Sequence, residues 1–249
     1  MAITFFWRCE GTTLDGTHDY SAGDTTATAS NSTISATAAR LGTNGVLSPG
    51  AFLSNMQFSP ASIIANYDNP AALVGSVGFS VYFVTAVQGN QLTLGFRASG
   101  ASTNDAIAVE TATSAEMTLV IRDATGNVSR ITTTAANMAA GTWYGVVARW
   151  DIANDKRAIE IYDAAGALID SNEDLATDLS TYVPDSNVAT VSLAYKAASN
   201  ANDVYFDTFV ISDTYDEVTA AMLDYTSYTQ FTSIAWQQFY RRPNTLLRM

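Results

Sequence analysis

The residues best equipped for chemistry in this chain are its carboxylates, and their spacing works against catalysis. Glycoside hydrolysis needs two carboxyl groups on one surface, one to protonate the leaving oxygen and one to attack or to activate water. Glu160 and Asp163 are three residues apart in an alternating segment, so they fall on opposite faces of a strand. Glu173 and Asp174, with Asp170 nearby, read as a polar loop. His18 is the only histidine and sits in a loop with no partner in view, which sets aside a Ser-His-Asp arrangement. Cys9 is the only cysteine, so an intrachain disulfide and a thiolate metal cage are both excluded. Its place in the apolar run 3–9 makes it a small packing residue. There is no P-loop, no Gly-x-Gly-x-x-Gly after a strand and no His/Cys metal spacing.

Binding chemistry is better represented. Tyr67, Tyr82, Tyr144, Tyr182 and Tyr195 are candidates to stack on the apolar face of a sugar ring, with Tyr67, Tyr144 and Tyr182 carried forward. On alternating strands the same residues also serve as core or rim packing. A second concentration lies in the tail, residues 225–249, which carries Tyr225, Tyr228, Phe231, Trp236, Phe239, Tyr240, Arg241 and Arg242. Aromatic and Arg side chains are the types that interfaces favour. The tail therefore reads as an assembly arm, or as a strap that completes the surface of the body.

The elements that must position these groups are strands. Val77, Phe79, Val81 and Phe83 alternate with Gly78, Ser80 and Tyr82, the period-2 pattern of a half-buried strand. Similar runs occur over 91–99, 116–123, 128–134, 143–151, 157–163, 189–195 and 204–211. Asp123-Ala-Thr-Gly126-Asn127 and Asp163-Ala-Ala-Gly166 place glycine where a hairpin needs positive φ. Residues 17–49 are poor in large apolar side chains and read as long loops with short strands near 33–37 and 46–47. A short helix is expected after the last strand, capped by Asp213 or Thr214 and running to Leu223. Many short strands without alternating long helices predict an all-β, two-sheet antiparallel sandwich spanning 1–224, followed by the tail.

Composition narrows the partners. Of 249 residues, 14% are charged, against about 25% in an average soluble protein, and the net charge is −12. Nucleic-acid binding needs a basic footprint, and an anionic membrane surface would repel this chain. No apolar run is long enough to span a bilayer. The opening MAITFFWRCEG lacks the basic region and small-residue cleavage site of a signal peptide, so the expectation is synthesis and folding in a cytosol.

The order of the motifs resembles the LamG and concanavalin A-like lectin/glucanase superfamily, whose fold is a jelly roll. Gly141-Thr-Trp-Tyr-Gly-Val-Val-Ala-Arg-Trp-Asp151 resembles its Trp-bearing strand, and Ala158-Ile-Glu-Ile-Tyr-Asp-Ala-Ala-Gly166 the hairpin that follows. Tyr205-Phe-Asp-Thr-Phe-Val-Ile211 resembles the closing strand, Val77–Phe83 an earlier one and Phe6–Gly11 the opening one. The chain departs from the pattern at Tyr144-Gly145, where the family often has His. Catalytic members carry a Glu-x-Asp-x-Glu-like strand, and this chain has none. The resemblance also implies a structural calcium ion bridging the first loop to the last strand, where the matching positions hold Glu10, Asp15, Asp19 and Asp207; the alternative is that these carboxylates cap turns or meet solvent and the protein has no cofactor.

Two functions follow as expectations. The first is a non-catalytic structural protein of a bacteriophage virion: a head decoration, collar, or tail or fibre component. It would be homo-oligomeric, bound to other virion proteins and adhesive to cell-surface glycans. The alternative is a lectin-like carbohydrate-binding module.

Overall fold

Alternating apolar and small residues build two stacked sheets, seen in a computed structural model that describes residues 3–7, 9, 20–21, 28–40, 43–49, 55–58, 71, 73–85, 87, 92–98, 105–112, 115–134, 138–184, 188–193 and 203–216. The first strands are short: β1 (Ile3–Trp7), β2 (Tyr20–Ser21), β3 (Thr28–Ser30), β4 (Thr33–Ser35), β5 (Gly45–Ser48) and β6 (Asn55–Phe58). The central ones are β7 (Val74–Phe83), β8 (Leu92–Ala98), β9 (Asp105–Thr111), β10 (Met117–Arg122) and β11 (Val128–Thr132). The chain then forms β12 (Trp143–Asp151), β13 (Lys156–Tyr162), β14 (Leu168–Asp174), β15 (Val188–Leu193) and β16 (Val204–Ser212).

Among the described residues, nine strands form the larger sheet, in the order β14-β13-β12-β7-β16-β1-β2, with β5 also on β16 and β4 on β5. Seven form the other, β11-β10-β9-β8-β15-β6-β3, and the named pairs in both sheets are antiparallel. The core lies between the sheets. Val77, Phe79, Val81 and Phe83 of β7 and Val146, Ala148 and Trp150 of β12 meet Leu94, Phe96, Ile107, Val109, Leu119 and Ile121 from the smaller sheet. Burying each large apolar side chain contributes about 1.5–3 kcal/mol, so this two-sided alternation is enough to fix which face turns inward. Trp150 packs edge-on against Phe96, with ring centroids 5.5 Å apart, and joins the sheets at their middle. Cys9 is fully buried in the same core, the packing role its apolar context predicts.

The expected sandwich is the observed fold, and most expected strands fall within a residue or two of the observed ones. Five elements differ: the two short strands β2 and β3 in the 17–49 stretch, and β14, β9 and β6. β14 forms where a polar loop was expected around Asp170, Glu173 and Asp174. Its composition is poor for a strand, but it sits at an edge, where charged side chains blunt further pairing. β9 shows no alternation because Ala106, Ile107, Ala108 and Val109 are buried on both faces. β6 is four residues long with a polar centre, Asn-Met-Gln-Phe. In the 17–49 stretch, β4 and β5 match the two short strands expected there. The expected helix after the last strand lies outside the described residues beyond Asp216, and 213–216 form bends. The tail, with Tyr225, Tyr228, Phe231, Trp236, Phe239, Tyr240, Arg241 and Arg242, also lies outside them.

Candidate functional site

The outer face of the larger sheet carries polar and aromatic side chains that the core does not use. Register sets its rows. One row runs Asp207, Ser80, Gly145, Tyr162 across β16, β7, β12 and β13. Arg40 lies along it. Its backbone N–H donates to Asp207 Oδ2 (2.8 Å), Nη1 donates to Ser80 Oγ (2.6 Å) and Nη2 reaches the Ala164 carbonyl (3.2 Å) in the β13–β14 turn. Gly145, between Ser80 and Tyr162 in the row, has no side chain to obstruct this crossing.

Local sequence delivers Arg40 to that place. Ser35 caps a 3-10 turn, Ala36–Ala38, by accepting from the Thr37 N–H. The turn packs directly on β5, where a Cβ on Gly45 would come within 1.9 Å of the Ala38 carbonyl oxygen. Only glycine permits so close a backbone approach. On the other side, β16 carries a bulge between Asp207 and Phe209, and Thr208 takes a φ of 54° there. Residues 204–206 pair with β5 and residues 209–212 with β1, so the bulge marks the point where β16 changes neighbour. Burial pulls the Arg40 guanidinium below its ordinary value, and the charges of Asp207 and Asp163 oppose that shift.

The adjacent row is aromatic. Trp143, Tyr82 and Tyr205 are partners in register on β12, β7 and β16. Tyr82 and Tyr205 stack with centroids 5.3 Å apart and planes 7° apart, while Trp143 meets Tyr82 at 5.4 Å, tilted by 49°. All three are half-buried. The two tyrosine hydroxyls and the indole N–H make no hydrogen bond with the described residues. Gly141 lies in the turn before β12 with φ +76°, and a Cβ there would lie 3.9 Å from the Tyr82 hydroxyl, an ordinary van der Waals contact.

Carboxylates elsewhere on this flank are committed to packing. Glu160 Oε2 accepts from Arg149 Nη2 (2.9 Å) and from the Tyr162 hydroxyl (2.6 Å). Burial and then the Glu160 hydrogen bond push the Tyr162 phenol well above its usual range. Arg149 also donates to the Tyr215 carbonyl (3.0 Å), and the Tyr215 hydroxyl reaches Glu173 (3.3 Å). Asp163 caps its hairpin by accepting from the Ala165 and Ala167 N–H groups. Asp170 accepts from Thr134 Oγ1 (2.7 Å), which ties β14 to the residues just after β11 in the opposite sheet.

Asp174 completes that lateral clamp. Its carboxylate takes Arg157 Nη2 at 2.8 Å, and Arg157 in turn donates to Ser129 on β11. The Thr177 side chain, the Ala176 N–H and Arg157 hold the Asp174 carboxyl well below the usual carboxylate range. A depressed carboxyl stabilises the fold fully above its ordinary value of 3.8 and loses that contribution as pH falls through the folded value. Asp174→Asn should therefore lower stability at neutral pH by about 1 kcal/mol, a modest figure because the group keeps solvent contact. In urea titrations at stepped pH, the gap between wild type and variant should close below pH 3.8.

The residues expected from sequence fall into three groups. Asp207 is fully buried and serves Arg40, while Glu10, Asp15 and Asp19 lie outside the described residues. No cluster of three metal-ligating side chains occurs among the described residues. Tyr144 is 5% exposed in the core, and its hydroxyl accepts from the Ala139 N–H, so its ring packs inward and offers no face to a sugar. Tyr182 is half-buried against the core, and Tyr67 lies outside the described residues. Sequence reading missed Trp143 and Tyr205 as partners of Tyr82. The signal was present: each is adjacent to an inward core residue (Tyr144 and Phe206) and so points outward, but the register that aligns them was not visible.

No family model matches the chain, and no curated protein matches it. Solved structures do. The chain is similar to the botulinum neurotoxin type G receptor binding domain, with a TM-score of 0.60 and 12% identity over 92% of this chain and 52% of that one. It is similar to a structure described as "Cell entry of botulinum neurotoxin type C is dependent upon interaction with two ganglioside molecules" (0.62, 12%, 95% and 51%). The binding domain of botulinum neurotoxin DC in complex with rat synaptotagmin II gives 0.61 at 11%, over 94% and 52%. This chain spans about half the length of each. At these identities the likeness is one of fold, a β-sandwich of the lectin-like jelly-roll type.

Proposed function

We propose that this protein is a non-catalytic binding module that presents its ligand site on the outer face of the larger sheet. The observation that carries the reading is the row Trp143–Tyr82–Tyr205: three half-buried aromatic rings aligned on central strands, with polar tips that bond nothing described. Core aromatics hide their rings, and buried tyrosines usually find a protein partner for the hydroxyl, whereas these tips are left to solvent or a ligand. The structures of similar fold support a recognition role, since their descriptions name ganglioside interaction and a synaptotagmin complex. Glu160, Asp163, Asp170 and Asp174 are engaged as packing and capping groups, which fits a scaffold better than an acid/base site.

The finer form of this proposal is an adhesive, oligomeric component of a virion. It rests on the sparsely charged, acidic composition and on the aromatic-basic tail. The similar structures reported above lend weight to binding and none to a virion. The test is a binding screen of the full chain against arrayed neutral and acidic glycans and a panel of cell-surface proteins, with product analysis of each glycan after incubation. Saturable binding without cleavage is expected. Absence of binding throughout, or release of shortened glycan, would overturn the reading.

A further inference from the structure

We infer that the Trp143–Tyr82–Tyr205 row takes a neutral oligosaccharide, with one pyranose ring on the Trp143 indole and neighbouring sugar hydroxyls bonded to the two tyrosines. This inference rests on the binding-module reading and adds the ligand class and the contact atoms.

Geometry assigns different tasks to the three rings. Tyr82 and Tyr205 lie nearly parallel at 5.3 Å, the separation of an offset stack, so the faces they turn to each other are already used. What they offer a ligand is hydroxyl groups. Trp143 is tilted from Tyr82 by 49° and stacks on no other ring among the described residues, which places it at the end of the row. A surface made of one aromatic face beside unpartnered hydroxyl and indole N–H groups matches a ligand with an apolar ring face rimmed by hydroxyls. Pyranoses have that shape, since their axial C–H bonds gather on one face and their hydroxyls project at the edge.

Charge selects the neutral class. The cation nearest in register is Arg40 in the next row, and its guanidinium is held by Ser80 and the Ala164 carbonyl. Arg149 lies further along β12 and is paired with Glu160. Asp203 and Asp207 each lie two residues from Tyr205, and the whole chain carries a net charge of −12. A sialylated, uronic or phosphorylated ligand would meet repulsion here, and the guanidinium of Arg40 in the next row is already bonded to Ser80 and the Ala164 carbonyl. An aliphatic ligand would leave the three polar tips unsatisfied, an outcome that costs affinity.

The experiment is calorimetric titration of the full chain with cellohexaose, maltohexaose and xylohexaose, and with hexagalacturonate and sialyllactose as acidic probes. At least one neutral hexasaccharide should bind, the acidic probes should not, and Trp143→Ala should weaken binding by about tenfold or more, the loss of one stacking platform. The Tyr82→Phe/Tyr205→Phe double variant keeps the stack and removes only the hydroxyls. It should bind at least about threefold more weakly with an unchanged melting temperature, which keeps the test open if Trp143→Ala fails to fold. Neutral binding left intact in the double variant and in Trp143→Ala overturns the inference, as does preference for the acidic probes. If the broader screen finds an acidic or protein ligand whose binding Trp143→Ala abolishes, the inference fails while the module reading stands. Absence of any ligand in both experiments sinks the two together.

Discussion

Asp207→Ala is expected to destabilise the sandwich by about 3 kcal/mol, the cost of taking a charged acceptor from a backbone N–H beside a part-buried guanidinium. Asp207 is fully buried, and its Oδ2 accepts the Arg40 backbone N–H at 2.8 Å. Removing the carboxylate leaves that N–H without its acceptor and leaves a part-buried guanidinium supported by the more distant charge of Asp163. Damage should spread along the row, because Arg40 also fastens Ser80 on β7 and the turn after β13. Asp207→Asn keeps the shape and an acceptor oxygen, so its loss should be smaller, about 1–2 kcal/mol. In a domain of this size each kcal/mol lowers the melting temperature by about 2–4 °C, so calorimetry separates the two variants. Equal melting temperatures for Asp207→Ala and wild type would remove Arg40–Asp207 from the account of how the outer face is held.

Trp150→Ala should cost about 3–5 kcal/mol for a different reason, the cavity left by a large core side chain. Trp150 is 2% exposed, stands edge-on to Phe96 of the opposite sheet and rests over Gly75, where a Cβ would come within 2.8 Å of its ring. Its indole N–H has no hydrogen-bond partner among the described residues. Replacement by Phe therefore forfeits ring volume without breaking a hydrogen bond, and Trp150→Phe should lose about 1–2 kcal/mol. Chemical denaturation of both variants checks the ratio. A Phe variant as damaged as the Ala variant would mean that the indole N–H has a bond that this account omits.

How much of this was legible in the sequence depended on which physical signal each element carries. β7 and β12 were plain, because alternation over seven or more residues specifies an inward face. β9 and β14 were not. The first is buried on both sides and so lacks alternation, and the second is built from Asp, Ser, Asn and Glu and depends on β13 and the Asp170–Thr134 tie. Single site residues were half legible. Alternation shows that Tyr82 and Tyr205 point outward, and it equally shows that Tyr144, next to Trp143, points in; the notion of Tyr144 as a sugar platform ignored that parity. Asp207 was singled out from its place in a family-like strand as a metal ligand. One partner it has in the fold, Arg40, is 167 residues away in a stretch that read as loop, and no local pattern announces such a contact. Cross-strand register is set by turns, bulges and core packing together, so the row that aligns Trp143, Tyr82 and Tyr205 emerges only in three dimensions.

The central claim is that this row recognises a ligand and is more than cross-strand packing. The most direct measurement is binding of the strongest ligand found in the screen, by titration calorimetry, to Trp143→Ala alongside its melting temperature. A half-exposed cross-strand aromatic contributes about 0.2–1 kcal/mol to a sheet, so the variant should stay folded and melt only a few degrees below wild type, by about 2–4 °C per kcal/mol. The account predicts that this folded protein binds at least about tenfold more weakly, a loss of about 1.4 kcal/mol. Undiminished affinity in a folded Trp143→Ala protein would contradict it and return the row to the sheet as packing alone.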